Sequence, residues 1–194
     1  MNDIAIATAT LSARLKTETA AQHERMHRLM ERASPFASRA AYVRFVRSQY
    51  VFQRDIEHLF EQAAMQAAVP DLDNRGRQQE ALADLADLGA TAPDEAIASA
   101  HVVMPEALGW LYVSEGSTLG AAFLFKEAQE RLGLSASFGA RNLAAYPQGR
   151  AQAWRRFVAA LDAIDHADHD AVILGAYAAY NRFGALLESH FDLH

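Results

Sequence analysis

With 194 residues, 51% of them hydrophobic and 22% charged, the chain is long enough for one well-cored domain and short for two. A formal net charge of −6, with no basic stripe interleaved with aromatics, argues against nucleic acid as a partner, and the absence of cysteine excludes disulfides and thiolate metal sites. The segment MNDIAIATATLSARLK lacks the pattern of a secretion signal, and no apolar run approaches the roughly 18 residues of a membrane span, so the expectation is a cytoplasmic protein with no membrane partner.

Helical periodicity dominates throughout, and no stretch alternates cleanly over a strand's length. The fold class expected is all-α, one domain over residues 1–194 with residues 1 to about 10 as a flexible arm. A first helix is expected from about Leu11 to Glu31, ending near Ser34-Pro35. Ser38 is placed to cap a long second helix that stops before Pro70. A shorter helix spans about Gly76 to Leu88 with Gly89 as its stop, and Pro93-Asp94-Glu95 starts a brief one. Pro105 sits in the first turn of a helix carrying GWLYVSEGSTLGAAFLF. Gly, Ser and Pro between Gly133 and Gly149 predict a loop, and helices from about Arg150 to Ile164 and Asp168 to Phe191 close the bundle.

On the first helix Leu15, Thr19, His23, Met26 and Met30 recur at helical spacing, which places His23 in the core-facing stripe. Such a histidine is either a core residue satisfied by a carbonyl or a metal ligand. Lys16 lies seven residues earlier on nearly the same face, about 10.5 Å along the axis. It reads either as a snorkelling surface lysine or as a cation facing the same pocket. Imidazole ligates iron well, and an ammonium at that distance suits a porphyrin propionate.

Two metal motifs compete for this segment. His23-Glu24-Arg25-Met26-His27 matches the H-E-x-x-H helix of zinc proteases, but no third ligand and no sheet accompany it. Glu24-x-x-His27 with Asp55-x-x-His58 resembles the paired motifs of di-iron bundles, without evident bridging glutamates. The run Asp165-His166-Ala167-Asp168-His169-Asp170 also looks metal-like, although a charged loop between helices is ordinarily solvated.

Each interior glycine weakens a helix by about 1 kcal/mol relative to alanine. Gly109, Gly116 and Gly120 nonetheless share one narrow sector of the helix after Pro105, leaving a groove without side chains. Either another helix backbone or a flat ligand fills such a groove. Tyr112 and Phe123 have the spacing of ordinary core aromatics.

The stretch GWLYVSEGSTLGAAFLF resembles the distal-helix signature of the bacterial haem oxygenases. The likeness extends through RLKTETAAQH, PFASRAAYVRFVRSQYVFQ, FGARNLA, GRAQAWRRFV and NRFGALLESHF. The resemblance implies a helical bundle with haem b between a proximal and a kinked, mobile distal helix, haem being both substrate and cofactor. It implies His23 as the iron ligand, and Gly116, Ser117 and Gly120 on the distal face, with Phe123 in the binding set. Gln49 and Gln53 match positions that anchor a distal water network, where some members carry histidine at the second. Lys16 and Tyr112 match positions near the propionates, a pairing that goes with opening at the α-meso carbon. Asn142 stands where related sequences often have histidine.

The activity so implied is cleavage of haem to biliverdin, iron and carbon monoxide, using O₂ and electrons from a reductase or ferredoxin. It would serve iron acquisition, or supply a bilin to an acceptor such as a phytochrome. A haem carrier or sensor is the alternative from another class, with a di-iron oxidase behind it.

Overall fold

The computed structural model describes residues 9–193, and the expected arm falls largely on residues 1–8, outside them. Thr10 caps α1 (Leu11–Glu18), its hydroxyl accepting from the Ala13 amide at 3.3 Å. Thr19 (φ −95°, ψ 9°) then separates α1 from α2 (Ala20–Ala33), so the expected first helix is two. The register survives the break, because the Thr19 amide still donates to the Leu15 carbonyl at 2.9 Å and the His23 amide to the Thr19 carbonyl at 3.0 Å.

Ser38 caps α3 (Arg39–His58) as expected, accepting from the Ala41 amide at 3.1 Å. The helix does not continue to Pro70. A 3₁₀ turn, Leu59–Glu61, and α4 (Ala63–Ala68) replace its last turns. The reason lies in Gln62, which is extended: its side chain donates to the Val102 carbonyl at 2.9 Å and accepts from the Met104 amide at 3.2 Å.

α5 (Gln78–Asp87) is followed by Gly89 at φ +68°, the left-handed stop its sequence predicts. The brief helix expected at Pro93 does not form. Tertiary partners take that segment's backbone instead. Arg47 donates to the Thr91 carbonyl and Arg54 to the Ala96 carbonyl, both at 3.3 Å, while the Asp55 carboxylate accepts from the Ala98 amide at 3.2 Å.

α6 (Glu106–Leu132), α7 (Arg150–Leu161) and α8 (His169–Phe191) complete an all-α bundle, with no named strand among the described residues. α6 is α-helical over its whole length. It packs on α8 through Gly109 and Gly175. A Cβ on Gly109 would overlap the Val172 carbonyl and Ala176 amide, and one on Gly175 the Glu106 carbonyl.

The core has two apolar clusters. One joins Leu11 and Leu15 to Phe52, Ile56, Trp110, Leu111 and Phe157; the other joins Leu29, Tyr42, Phe45, Ala121, Ala128 and Leu187. α6 runs from the first into the second. Its stretch Ser114 to Gly120 belongs to neither, and at this level buried Ser114, Glu115 and Thr118 make a polar seam with Gln53 of α3.

Candidate functional site

The site is built where α2 and the later part of α6 face each other. At one end is buried Thr19, whose hydroxyl donates to the Leu15 carbonyl at 2.7 Å and works weakly against the effect of burial on the phenols of Tyr112 and Tyr180. Burial raises both phenols, Tyr180 to about 12, so they stay neutral donors near neutral pH. At the other end an open cleft of about 380 Å³ lies between α2 and α6, with His27, Met30 and Glu31 on one wall and Phe123, Leu124 and Glu127 on the other. Phe36, from the turn after α2, completes its apolar lining.

From Thr19 to His27 is about 12 Å along α2, and from Tyr112 to Phe123 about 16 Å along α6, at 1.5 Å per residue. His23 is the midpoint of the first span, and the Gly116–Gly120 stretch is the middle of the second. The imidazole of His23 is exposed rather than core-facing, which corrects the sequence expectation. The stripe it belongs to is buried at Leu15 and Thr19 and only half-buried at Met26 and Met30. Partial burial, and next the charge of His27, hold His23 below the ordinary histidine value, against a smaller opposing effect of Glu24. The ring is therefore neutral at neutral pH and presents a lone pair.

The three glycines of α6 share a sector but not a neighbour. Gly109 meets the α8 backbone, a Cβ on Gly116 would lie 3.8 Å from the Trp154 ring, and one on Gly120 would meet nothing within 4 Å. The groove without side chains is thus confined to the later part of the helix. Ser117 is exposed, with its hydroxyl turned back to the Ser114 carbonyl at 2.7 Å. Phe123 is 77% exposed on the cavity wall, not a core aromatic.

A haem oxygenase family model matches residues 9–189. The chain is also 48% identical over 184 residues to the heme oxygenase PigA of Pseudomonas aeruginosa, covering 93% of this chain and 92% of that one. The chain belongs to the haem oxygenase family. Its fold matches the NO- and CO-bound heme oxygenase of Neisseria meningitidis with a TM-score of 0.89 at 35% identity, covering 96% of this chain and 94% of the other. The heme oxygenase of Leptospira interrogans, at 15% identity, shares the fold alone, with a TM-score of 0.77 over 93% of this chain and all of that one. The protein is accordingly a haem-degrading enzyme that incorporates oxygen.

Measured against that family, the structure brings His23, Tyr112, Gly116, Gly120 and Phe123 to the two facing helices. Gln53 is buried on α3, its side-chain oxygen accepting from the Ser114 hydroxyl at 3.3 Å, and half-buried Gln49 lies one turn before it. Lys16 is exposed on α1, beyond the break at Thr19. Asn142 is not at the cavity. It is buried against α5, its amide donating to Asp84 at 2.9 Å and its carbonyl accepting from Arg77 at 2.8 Å. Sequence reasoning missed Tyr180 and Trp154, named Thr19 only within the stripe, and read His27 only as part of the metal motifs. His27 carried a usable signal, since it stands four residues after His23 on the same face.

The carboxylates of the metal motifs have partners of their own. Asp55 is fully buried and committed to Arg182 at 2.8 Å, and Glu24 turns to Arg28 at 3.4 Å. Asp165 caps a turn by accepting from the Ala167 amide at 2.9 Å, and Asp170 pairs with Arg14 at 2.8 Å. Among the described residues no group of three or more His, Asp or Glu is arranged to hold a metal ion, and no helix is long and apolar enough to cross a membrane.

Proposed function

We propose that the space between α2 and α6 holds haem b, with His23 on the iron, the Gly116–Gly120 backbone over the opposite face, and the ring opened at the α-meso carbon to give α-biliverdin. The observation that supports this reading is that His27 and Phe123 line one cleft between the two helices, with His23 one turn before the first and Gly120, which meets no neighbour, three residues before the second.

The residues suit the ligand. Apolar Met30, Phe36, Phe123 and Leu124 line the cleft beside charged Glu31, Glu127 and Arg131, the nitrogen donor one turn away on α2 is neutral, and the volume of about 380 Å³ lies in the range of small-molecule sites, roughly 300–1,000 Å³. Haem supplies the iron chemistry that activates oxygen, with electrons from an external reductase or ferredoxin. The chain's part is to bind and to orient. Gly120 leaves room for a small diatomic beside backbone, and Met30, Phe36, Phe123 and Leu124 offer apolar surface to the ring. Gln53, held by Ser114, and Gln49 order polar contacts at the seam. Lys16, Tyr112 and Tyr180 take the carboxylates and so fix which edge of the ring faces the glycines.

In this reading the whole chain is one cytoplasmic domain. Its product serves iron release, or passes to a bilin acceptor such as a phytochrome. The test is the absorption spectrum of the haem-loaded protein in air after a reductant is added, with catalase present. Loss of the Soret band with growth of a biliverdin spectrum is the expected result. A stable Soret band after reduction would return the protein to the alternative of a haem carrier or sensor.

A further inference from the structure

α6 is fastened from outside at the level where its own helical preference is weakest. Glu115, 1% exposed, is paired with Arg75, which is 2% exposed, and accepts from the Tyr146 hydroxyl at 2.7 Å. Arg75 continues to Asp71 at 3.0 Å and to the Ala153 carbonyl of α7 at 3.3 Å. Three residues further along α6, Arg150 donates both to the Thr118 carbonyl at 3.0 Å and to the Leu143 carbonyl at 2.8 Å. The turn before α5, the loop after α6 and the start of α7 therefore all tie to residues 115–118.

The same stretch carries side chains that compete with its helical ladder. The hydroxyls of Ser117 and Thr118 donate to the Ser114 and Glu115 carbonyls, each at 2.7 Å, and such back-bonding competes with the helix's own amides. Glycines flank these positions at 116 and 120. A buried ion pair is seldom a net gain in stability, because desolvation of both charges offsets their attraction, whereas it does impose a defined geometry. Glu115 and Arg75 sit where a helix otherwise free to bend is clamped.

We propose that Glu115, Arg75, Tyr146 and Arg150 are positioning residues that fix the height of the Gly116–Gly120 backbone above His23. This rests on the reading that haem lies between the two. None of the four lines the cavity between α2 and α6, so they act through the backbone of α6.

Tyr146→Phe and Arg150→Met each remove a tie while leaving the Arg75–Glu115 pair, which keeps both variants foldable. Hydrogen exchange in the haem-free protein is the first readout. Amides of residues 116–122 should exchange about tenfold faster in each variant, the size of one lost hydrogen bond, while those of α8 keep their protection. The second readout is the C–O stretch of the CO complex of the reduced, haem-loaded protein, expected to shift or split in both variants. Met65→Ala, a core truncation in α4 that removes none of these ties, controls for lost stability and should leave the stretch unchanged. Unchanged exchange at 116–122, or a stretch that moves equally in the control, would overturn the proposal. Absence of a Soret band in the wild-type protein would refute the haem reading on which it rests, whatever the exchange shows.

Discussion

The imidazoles of His23 and His27 stand edge to face on successive turns of α2, with 4.6 Å between centroids and 71° between planes. The pair is coupled by charge, since His27 adds to the burial that lowers His23. His27→Gln should therefore move His23 back up toward its ordinary value, and the acid limit of haem binding should shift to higher pH. Proton NMR titration of His23 in the haem-free protein checks the first, and Soret titration the second. A His23 value that does not move, or falls, would remove the coupling.

The lowered histidines also set a direction for stability. His23 and half-buried His190, both depressed first by burial, favour the neutral ring in the folded state. His190 lies 2.8 Å from the Ser48 hydroxyl and 3.4 Å from Glu95. Unfolding then takes up protons, so this contribution is intact above the unfolded value of about 6.5 and is lost as pH falls through it toward the folded value. Urea midpoints should drop between pH 7 and 5.5, and His190→Gln should flatten that slope. An unchanged slope would place the titration elsewhere.

Two glycines on one face of α6 should respond to alanine with opposite signs. Gly109→Ala drives a methyl into the α8 backbone and should destabilise by about 1–3 kcal/mol or more. Gly120→Ala meets nothing, so the gain in helix propensity, about 1 kcal/mol, should raise the melting temperature by about 2–4 °C while the methyl obstructs the haem face. Calorimetry and haem titration separate the two. Destabilisation by Gly120→Ala would mean that the helix there is not as open as described.

That contrast marks how much of the molecule was legible beforehand. The order of helices, the caps at Ser38 and Gly89 and the glycine sector follow from local chemistry, and the family likeness rests on that same helix. Angular position could not reveal that Gly109 meets a helix while Gly120 meets open space, because neighbours along an axis are set by tertiary packing. Nor could it reveal the break at Gln62, whose side chain prefers a loop 40 residues away in sequence. Glu115 reads in sequence as one acidic residue in an apolar run, and its partners Arg75 and Tyr146 come from segments that give no local sign of meeting it.

Asp55 provides a test against the metal readings. It accepts from Arg182 and from the Ala98 amide inside the fold. Asp55→Ala should destabilise by about 3 kcal/mol by leaving buried donors unpaired. Metal content by mass spectrometry should be unaffected in the haem-free protein. Loss of a stoichiometric metal in this variant would revive the di-iron alternative.

Removing the polar groups at the Thr19 end should change the product more than the fold. Lys16 is exposed, so Lys16→Ala should alter stability by no more than about 0.5 kcal/mol. Combined with Tyr112→Phe, it should weaken haem binding roughly tenfold and turn a mainly α-biliverdin product into a mixture of isomers, read by chromatography. An unchanged isomer pattern would show that other groups seat the ring.

The most direct test of His23 facing the Gly116–Gly120 stretch across bound haem is the resonance Raman spectrum of the reduced, haem-loaded protein. An iron–histidine stretch is expected in the wild type and in His27→Gln. It should vanish in His23→Ala and be replaced by an iron–imidazole mode when imidazole is added. A stretch that persists in His23→Ala, or that disappears in His27→Gln, would contradict the assignment and move the iron to the other turn of α2.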